Sequence, residues 1–162
     1  MKKNIFLFGL FPCLLALFGC SSKEDVDMRE TYVGVYSLNV ISDVSMTNGS
    51  KTVKYPMDAT NKKFVITLNT DDKSKVNYSG YYGEGTATLI DNTLQFDEPR
   101  ITATDYYQGI YIQINFDCLP ISKSGNNLVW NTAVVGGAVS IDGKTSNAVA
   151  ISGILYNTAS KQ

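Results

Sequence analysis

The 162-residue chain contains no histidine, and this absence restricts the chemistry that it can perform. Histidine is the commonest general base and a common zinc ligand, and it completes the usual Ser-His and Cys-His nucleophile pairs. An enzyme made from this sequence would need a pair of carboxylates or a lysine base instead. We therefore predict a protein that is not an enzyme, with no catalytic residues, no metal site and no cofactor.

The densest group of carboxylates is Asp97-Glu98, close to Arg100 and Asp105. Two carboxyl groups on either side of a glycosidic bond are what a glycoside hydrolase requires. Neighbouring residues of a strand point to opposite faces, however, and Pro99 follows the pair directly. A solvated loop cluster is the better interpretation, and a carboxylate-dependent hydrolase is kept as a minor hypothesis.

The other residues whose side chains could bind a metal or act as a nucleophile have structural explanations. Asp71-Asp72 has the composition of a turn, because the downstream acidic ligands of a calcium loop are missing. Cys118 falls on the apolar face of a predicted strand, where we expect an inert, packed thiol rather than a nucleophile.

Cys20 has a different setting, at the end of an apolar run. The residues Leu17-Phe18-Gly19-Cys20 resemble a bacterial lipobox, although Phe18 is bulkier than the small residue usual at that position. Lys2 and Lys3 precede the apolar run Ile5–Phe18, as in a secretory signal. The run is shorter than the roughly 20 residues of a comfortable membrane span. We predict that it is removed rather than retained as a helical anchor.

The lipobox resemblance implies cleavage before Cys20, so that residues 1–19 form the signal peptide. It also implies that the thiol of Cys20 carries acyl chains, such as palmitate. Stable membrane residence needs more than one chain, which a fully modified lipoprotein cysteine supplies. The alternative is an ordinary secretory peptide that is cleaved near Ser21 or Ser22, with Cys20 incidental.

Residues 20–30 are predicted to be a flexible tether, because they offer almost nothing to bury. The acidic pair Glu24-Asp25, after Lys23, resembles the export signal of lipoproteins in Bacteroides-type bacteria. That resemblance implies an outer-membrane lipoprotein at the cell surface. A periplasm-facing position is the alternative, since acidic linkers are also common for plain solvation.

The mature chain is slightly acidic. Removal of Lys2 and Lys3 with the signal leaves twelve basic against fifteen acidic residues, a net charge of about −3. No clustered basic face is evident, so we predict no nucleic-acid partner. Cys118 is the one cysteine left besides Cys20, so no internal disulfide can form. Residues 31–162 have the length of a single domain whose packing must supply its stability.

The clearest pattern in the chain is a strand over residues 110–118. Its odd and even residues alternate between apolar and polar, so that all the apolar ones share a face. The apolar members are Ile110, Ile112, Ile114, Phe116 and Cys118. A shift of one residue would move all five into water, which fixes the register.

Nine or ten short strands in all are predicted at hairpin spacing, without a convincing amphipathic helix. We expect an edge strand at 51–57, because Pro56 cannot donate to a ladder, and a tight hairpin at Asp142-Gly143. Glycines 80, 83 and 85 should mark bends. The pattern predicts an all-β fold, an up-and-down antiparallel β-barrel, with a β-sandwich as the alternative. The other predicted strands are 32–42, 64–68, 75–82, 85–90, 93–97, 128–135, 138–141 and 147–156.

A family resemblance follows from two segments. Gly34-x-Tyr36 at the start of the first strand resembles the Gly-x-Trp opening of lipocalins, with Tyr36 in place of tryptophan. The glycine-rich segment 79–85 is similar to the lipocalin-like, or calycin-like, barrels of Bacteroides-type lipoproteins. The likeness covers residues 31–158. Lipocalins carry an arginine near the last strand that packs on the tryptophan, whereas this chain offers Lys161. The resemblance implies a binding or accessory role.

The mature chain is rich in tyrosine, with ten against three phenylalanines and one tryptophan. A tyrosine ring has a broad rigid face and a polar tip, which suits contact with sugars or peptides. The doublets Tyr81-Tyr82 and Tyr106-Tyr107 lie beside predicted loops, so we predict that these four residues contact a ligand. The alternative is that tyrosine is simply favoured in strands.

Together these features predict a lipid-anchored barrel of the outer envelope that binds a small or oligomeric ligand. The partner on this hypothesis is a small molecule, a glycan or a protein. The second hypothesis is a structural or interaction subunit of an envelope complex, with a solidly packed barrel.

Overall fold

The computed structural model describes residues 26–107, 110–141, 144–146 and 149–162. The predicted signal peptide, Cys20 and the tether up to Asp25 therefore lie outside the described residues, and so does Asp142-Gly143. Within the described ranges, no helix is both long enough and apolar enough to cross a membrane.

The described residues form a single twelve-stranded sheet, preceded by one turn of 3₁₀ helix over Met28–Thr31. The strands are β1 (Gly34–Asn48), β2 (Lys51–Tyr55), β3 (Ala59–Leu68), β4 (Lys75–Gly80), β5 (Gly83–Ile90), β6 (Thr93–Phe96), β7 (Arg100–Tyr107), β8 (Ile110–Cys118), β9 (Ser122–Ser124), β10 (Asn127–Ile141), β11 (Lys144–Ser146) and β12 (Val149–Lys161).

All strand pairs are antiparallel, and the sheet curls into a half-barrel. The order of paired strands across the sheet is β6-β5-β4-β3-β1-β12-β10-β8-β7. Three short strands lie outside this order: β2 pairs with β1, and β9 and β11 pair with β10. The first and last long strands pair over their whole length, from Tyr36 with Lys161 to Asn48 with Val149. The predicted all-β, antiparallel, barrel-like fold is confirmed. The alternative, a β-sandwich, is not formed, because the described strands belong to one sheet. Strand β2 pairs with β1 alone, as predicted for an edge.

The predicted register of the 110–118 strand is confirmed. Ile112, Ile114, Phe116 and Cys118 of β8 are all buried, while the residues between them are partly exposed. The alternation therefore places β8 with one face in the core, as the hydrophobic effect demands of such a sequence.

Several predicted strand bounds are wrong. Strand β1 extends to Asn48 and not 42, β3 begins at Ala59 and not 64, and β12 ends at Lys161 and not 156. The pattern predicts no strand over Arg100–Tyr107, which forms β7 at the end of the sheet and has few apolar residues. It predicts a loop at Ser122–Ser124, which forms the short strand β9. Asn127–Ile141 is one continuous strand, bent by a register shift between Val134 and Gly136, rather than two.

Residues 27–30, predicted to belong to the tether, are folded. The Asp27 carboxylate caps the 3₁₀ helix by accepting from the backbone N–H of Arg29 at 3.0 Å. The Arg29 side chain is buried and donates to the carbonyls of Asn69, Asp72 and Lys75 at 2.9–3.2 Å. A guanidinium has five donors and can satisfy several acceptors at once, a capacity that composition alone does not reveal.

The 3₁₀ helix closes one end of the half-barrel. Beyond the Arg29 contacts with the β3–β4 turn, the Tyr32 hydroxyl donates to the carbonyl of Asn92 in the β5–β6 turn. Lys123 of β9 donates to the carbonyl of Thr31 at 3.0 Å. Strand β6, at the edge of the sheet, lies close to the segment before β9 at this end. Leu94 of β6 and Ile121 of that segment exchange backbone hydrogen bonds of 2.8 and 3.0 Å. We call this region the closed end.

Aromatic rings fill the interior towards the closed end. The indole of Trp130 lies 5.3 Å from the ring of Phe64 and 6.4 Å from that of Phe96, and Tyr78 meets Phe96 edge to face at 5.0 Å. Such pairs stabilise a core beyond their buried area. This part of the barrel is therefore packed with its own side chains.

Candidate functional site: a cleft at the open end

The opposite end of the half-barrel is incomplete between β5 and β7. Among the described residues, β6 pairs along its length with Ala87–Ile90 of β5 and reaches Ile121 through Leu94 alone, and β7 pairs only with β8. The β5 residues Gly83–Thr86 and the strand β7 therefore face each other without a strand between them in the described sheet. A concave cleft occupies this gap.

The larger part of the cleft has a volume of about 420 Å³ and is predominantly apolar. Met57 comes from the β2–β3 connection, Ile101 and Ala103 from β7, and Phe116 and Leu155 from the core strands β8 and β12. The Tyr81-Tyr82 turn between β4 and β5 lines the same space. We call this part the apolar section.

The adjoining part, of about 310 Å³, shares Met57, Tyr81 and Ala103 with the first. Besides Tyr81, its polar residues are Tyr55, Asp58, Thr104 and Asp105, so that two carboxylates border the space. We call this part the acidic section. Concave sites with an apolar body and a few polar groups are typical of small-molecule binding.

Hydrogen bonds fix the polar groups of the acidic section. The Tyr55 hydroxyl donates to Asp105 Oδ2 at 2.5 Å, which links the end of β2 to β7. The backbone N–H of Tyr106 donates to Asp105 Oδ1 at 2.7 Å, and that of Ser42 donates to Asp58 Oδ1 at 2.7 Å. Both carboxylates are thus held in defined positions by uncharged donors.

A buried polar network lies beneath the apolar section. The Tyr82 hydroxyl donates to Asn157 Oδ1, and Asn157 Nδ2 donates to Thr132 Oγ1 at 3.0 Å. Burial raises the pKa of Tyr82, by more than its hydrogen bonds to Thr132 and Asn157 lower it. The phenol therefore stays protonated and fixes the ring at the cleft, because both partners are themselves buried.

Trp130 lies next to this network. Its ring is 6.1 Å from that of Tyr82, in an edge-to-face arrangement. The indole Nε1–H is buried and finds no hydrogen-bond partner among the described residues. Trp130 is the single tryptophan of the chain, so its fluorescence reports on the surroundings of Tyr82.

The structure places the four predicted ligand-contacting tyrosines in two different settings. Tyr81 and Tyr82 both line the cleft, with their rings 5.1 Å apart at 78°. Tyr106 is 75% exposed and packs on Tyr111 of β8, away from the cleft lining. The side chain of Tyr107 lies outside the described residues. Ligand contact by the four remains a prediction, and the geometry favours the first pair.

The Asp97-Glu98 pair has a structural explanation. The Asp97 carboxylate accepts from Thr86 Oγ1 at 2.5 Å, Thr88 Oγ1 at 2.6 Å and Lys75 Nζ at 2.9 Å. Partial burial raises the pKa of Asp97, but these three donors together bring it below its usual value. Asp97 is therefore a bound anion that joins β4 to β5.

Cys118 is buried, as predicted, with its Sγ 3.7 Å from Thr132 Oγ1. Burial raises the pKa of the thiol to about 11. No group of three or more potential metal-ligating side chains comes together within the part of the chain that the structure describes.

Sequence reasoning missed most of the cleft. Met57 and Asp58 follow an edge strand, and Ala103 and Asp105 belong to the unpredicted β7. The alternation of Ile101, Ala103 and Asp105 is a weak period-two signal that could have indicated a strand. That this strand ends the sheet, and so leaves a gap, depends on long-range pairing that local patterns do not encode.

Comparisons with protein-family models, with curated proteins and with solved structures each find no match to the chain.

Proposed function

We propose that this protein is a lipid-anchored, lipocalin-like binding protein of the outer envelope, without catalysis, and that its ligand occupies the cleft at the open end. The observation that carries the proposal is the cleft itself. It joins an apolar floor to a few fixed polar groups, beside a core that is otherwise packed.

The lipocalin-like assignment is supported at the position where the resemblance was drawn. Tyr36 is fully buried in the first strand, and Lys161 of the last strand is its direct cross-strand partner. The Lys161 side chain also lies over Gly34, since a Cβ at Gly34 would be 2.7 Å from Lys161 Cε. A basic residue of the last strand thus lies next to the Gly-x-Tyr opening, although it is a lysine where the lipocalin pattern has an arginine.

The position of the first folded residues supports an orientation of the anchored protein. Val26 leads into the 3₁₀ helix at the closed end, and Cys20 precedes it by six residues. A lipid anchor on Cys20 would therefore hold the closed end near the membrane. The cleft would open away from the lipid, where a soluble ligand can enter.

Filling the cleft tests the binding proposal. Ala103 lines both sections, so Ala103→Phe should obstruct both, whereas Ala150→Phe adds the same ring at an exposed site of β12. A panel of fatty acids, amines, glycans and peptides is titrated while the melting temperature is followed. We expect a ligand that stabilises the wild type and Ala150→Phe but not Ala103→Phe. A stabilising ligand that acts equally on both variants would place binding elsewhere.

Fractionation tests the anchor. Cys20→Ala should move the protein from membranes to the soluble fraction and leave the melting temperature unchanged, because the anchor precedes the folded residues. Cys118→Ala is the matched control and should remain with the membranes. An unmodified thiol at the processed N-terminus in mass spectrometry would contradict lipidation.

The second candidate function, an interaction subunit, is favoured by the sheet edge. Strand β7 pairs on one side alone and keeps an unbroken register with β8, so its other side offers backbone groups to an added strand. Pull-down from membranes would then recover a stoichiometric partner. Thr104→Pro on β7, which also alters the cleft lining, would abolish its capture, whereas the cleft-filling Ala103→Phe would not. Retention of the partner by Thr104→Pro would exclude the edge.

A further inference from the structure

The charge in the cleft is confined to one end and has one sign. The acidic section carries the Asp58 and Asp105 carboxylates, and neither forms an ion pair with a residue that the structure describes. Their hydrogen-bond donors are uncharged groups. Two exposed negative charges therefore border this section without an ion-pair partner in the described part of the chain.

The protein's own cations are kept away from the cleft. Neither section is lined by a lysine or an arginine among the described residues. The side chains Lys54, Lys75 and Arg100 are held instead by Asp43, Asp97 and Asp117, which lie outside the cleft lining. An anionic ligand would thus meet repulsion in the acidic section and no compensating partner.

Tyr81 stands where the two sections meet, because it lines both. It is 40% exposed, and its ring contacts that of Tyr82 edge to face. A cation positioned over an aromatic face is attracted by the ring quadrupole, and tyrosine is a favourable ring for this contact. The junction therefore combines aromatic and carboxylate groups that both favour a cation.

The apolar section has the opposite character. It contains no charged side chain among its described lining residues, and its floor is formed by Phe116 and Leu155 of the core. A volume of about 420 Å³ accommodates an alkyl or ring system rather than a single methyl group. Each methylene that leaves water for such a surface raises affinity about fourfold.

We propose that the cleft selects an amphipathic cation, with its apolar body in the apolar section and its ammonium or related group beside Asp58 and Asp105. The inference rests on the proposed function, since it names the chemical class of ligand for the same cleft. It adds two properties that do not follow from the existence of a cleft: the ligand is positively charged, and its charged group lies in the acidic section.

Three probes of equal chain length separate charge from apolar burial: decylammonium, 1-decanol and decanoate, each below its critical micelle concentration. Binding to the purified Cys20→Ala protein is followed by Trp130 fluorescence and by calorimetry at low ionic strength. We expect decylammonium to bind about tenfold more tightly than decanol, and decanoate to bind most weakly. Equal affinities, or tightest binding of decanoate, would overturn the inference and leave ligand binding in the cleft intact.

Charge-neutralising variants locate the effect. Asp58→Asn and Asp105→Asn can still accept the existing hydrogen bonds, and each should lower decylammonium affinity about three- to fivefold while decanol affinity stays constant. The control for the combined Asp58→Asn, Asp105→Asn variant is Asp71→Asn with Asp91→Asn, which removes the same two charges at the turns of the closed end. If the control lowers decylammonium affinity as much as the cleft pair, the inference fails.

Salt dependence of the wild type provides a test that needs no variant. Added sodium chloride should weaken decylammonium binding and leave decanol binding unchanged, because partly exposed charges are screened. Binding of decylammonium that is insensitive to salt would overturn the inference. Failure of all three probes would also overturn it, while the proposed function would be judged separately by the Ala103→Phe comparison.

Discussion

At the scale of single residues, the Asp97 carboxylate has a structural role, because hydrogen bonds connect it to two strands. Its two oxygens accept three hydrogen bonds, from Lys75 of β4 and from Thr86 and Thr88 of β5. The net effect is a pKa below the ordinary value of 3.8. The charged form is therefore the one that stabilises the folded state, and this stabilisation is present above the unfolded-state pKa.

Replacing this carboxylate should cost stability in a pH-dependent way. At pH 7, Asp97→Asn should lower the free energy of unfolding by about 1–2 kcal/mol, because charge-assisted hydrogen bonds become neutral ones. The difference should shrink as the pH falls through the folded-state pKa, where the wild type is protonated too. Urea titrations at several pH values measure it. Glu98→Gln, at an exposed neighbouring position, should change little; a pH-independent loss in Asp97→Asn would contradict this account.

Cys118 should be chemically silent in the folded protein. Burial raises its pKa to about 11, so the reactive thiolate is scarce at pH 8, and access is blocked as well. In the Cys20→Ala protein, we expect iodoacetamide to label Cys118 slowly under native conditions and rapidly in guanidinium. Native labelling as fast as that of the unfolded chain would show that β8 is not packed as described.

At the scale of elements, glycines allow the strands to approach and bend. Gly80 at the end of β4 has φ +146°, and a Cβ there would lie 2.2 Å from the carbonyl oxygen of Lys63. Gly153 of β12 has φ +142°, and its Cβ would lie 2.1 Å from the carbonyl oxygen of Asp43. Both positions require the absence of a side chain, which agrees with the bend predicted at Gly80.

Alanine substitutions should separate these glycines from a permissive one. Gly80→Ala and Gly153→Ala should each destabilise the protein by about 1–3 kcal/mol, from the clash and the strained φ. Gly136→Ala is the control, because nothing lies within 4 Å of its Cβ position. Denaturant unfolding measures all three. Gly136→Ala should be neutral or slightly stabilising, because alanine lowers the entropy of the unfolded chain. A similar loss in all three variants would contradict the role given to close approach.

The 3₁₀ helix is a separate element that depends on Arg29. Its guanidinium holds three carbonyls of the β3–β4 turn and the Asp27 carboxylate, a set that a lysine ammonium cannot satisfy. Arg29→Lys should therefore lower the melting temperature and speed amide exchange in the turn at 69–75. Arg100→Lys, at an exposed ion pair, should have little effect. An unchanged exchange rate in Arg29→Lys would contradict the role given to the helix.

These elements also show what local sequence can and cannot predict. Strand β8 was predictable because one face is buried along its length, which imposes strict alternation. Strand β7 was missed because it ends the sheet and carries Thr, Asp and Tyr on a half-exposed surface. Arg29 was placed in the tether because a buried arginine depends on carbonyls some forty residues away. Tyr81 and Tyr82 could be proposed from composition, but the β7 residues opposite them could not.

At the scale of the whole molecule, the two ends of the half-barrel differ. Helix, turns and the Leu94–Ile121 bridge seal one end, and aromatic rings fill the space behind it. The short β6 leaves β5 and β7 apart at the other end, which produces the cleft. The described residues begin at the closed end, so on the proposed lipid-anchored arrangement the cleft faces away from the membrane.

The central claim is that this cleft holds a ligand. Its most direct test is native mass spectrometry of the protein purified gently from its own cells, with Ala103→Phe and Ala150→Phe prepared in parallel. The account predicts a bound small molecule on the wild type and on Ala150→Phe that is lost from Ala103→Phe. The same bound mass on all three proteins, or none on any, would contradict it.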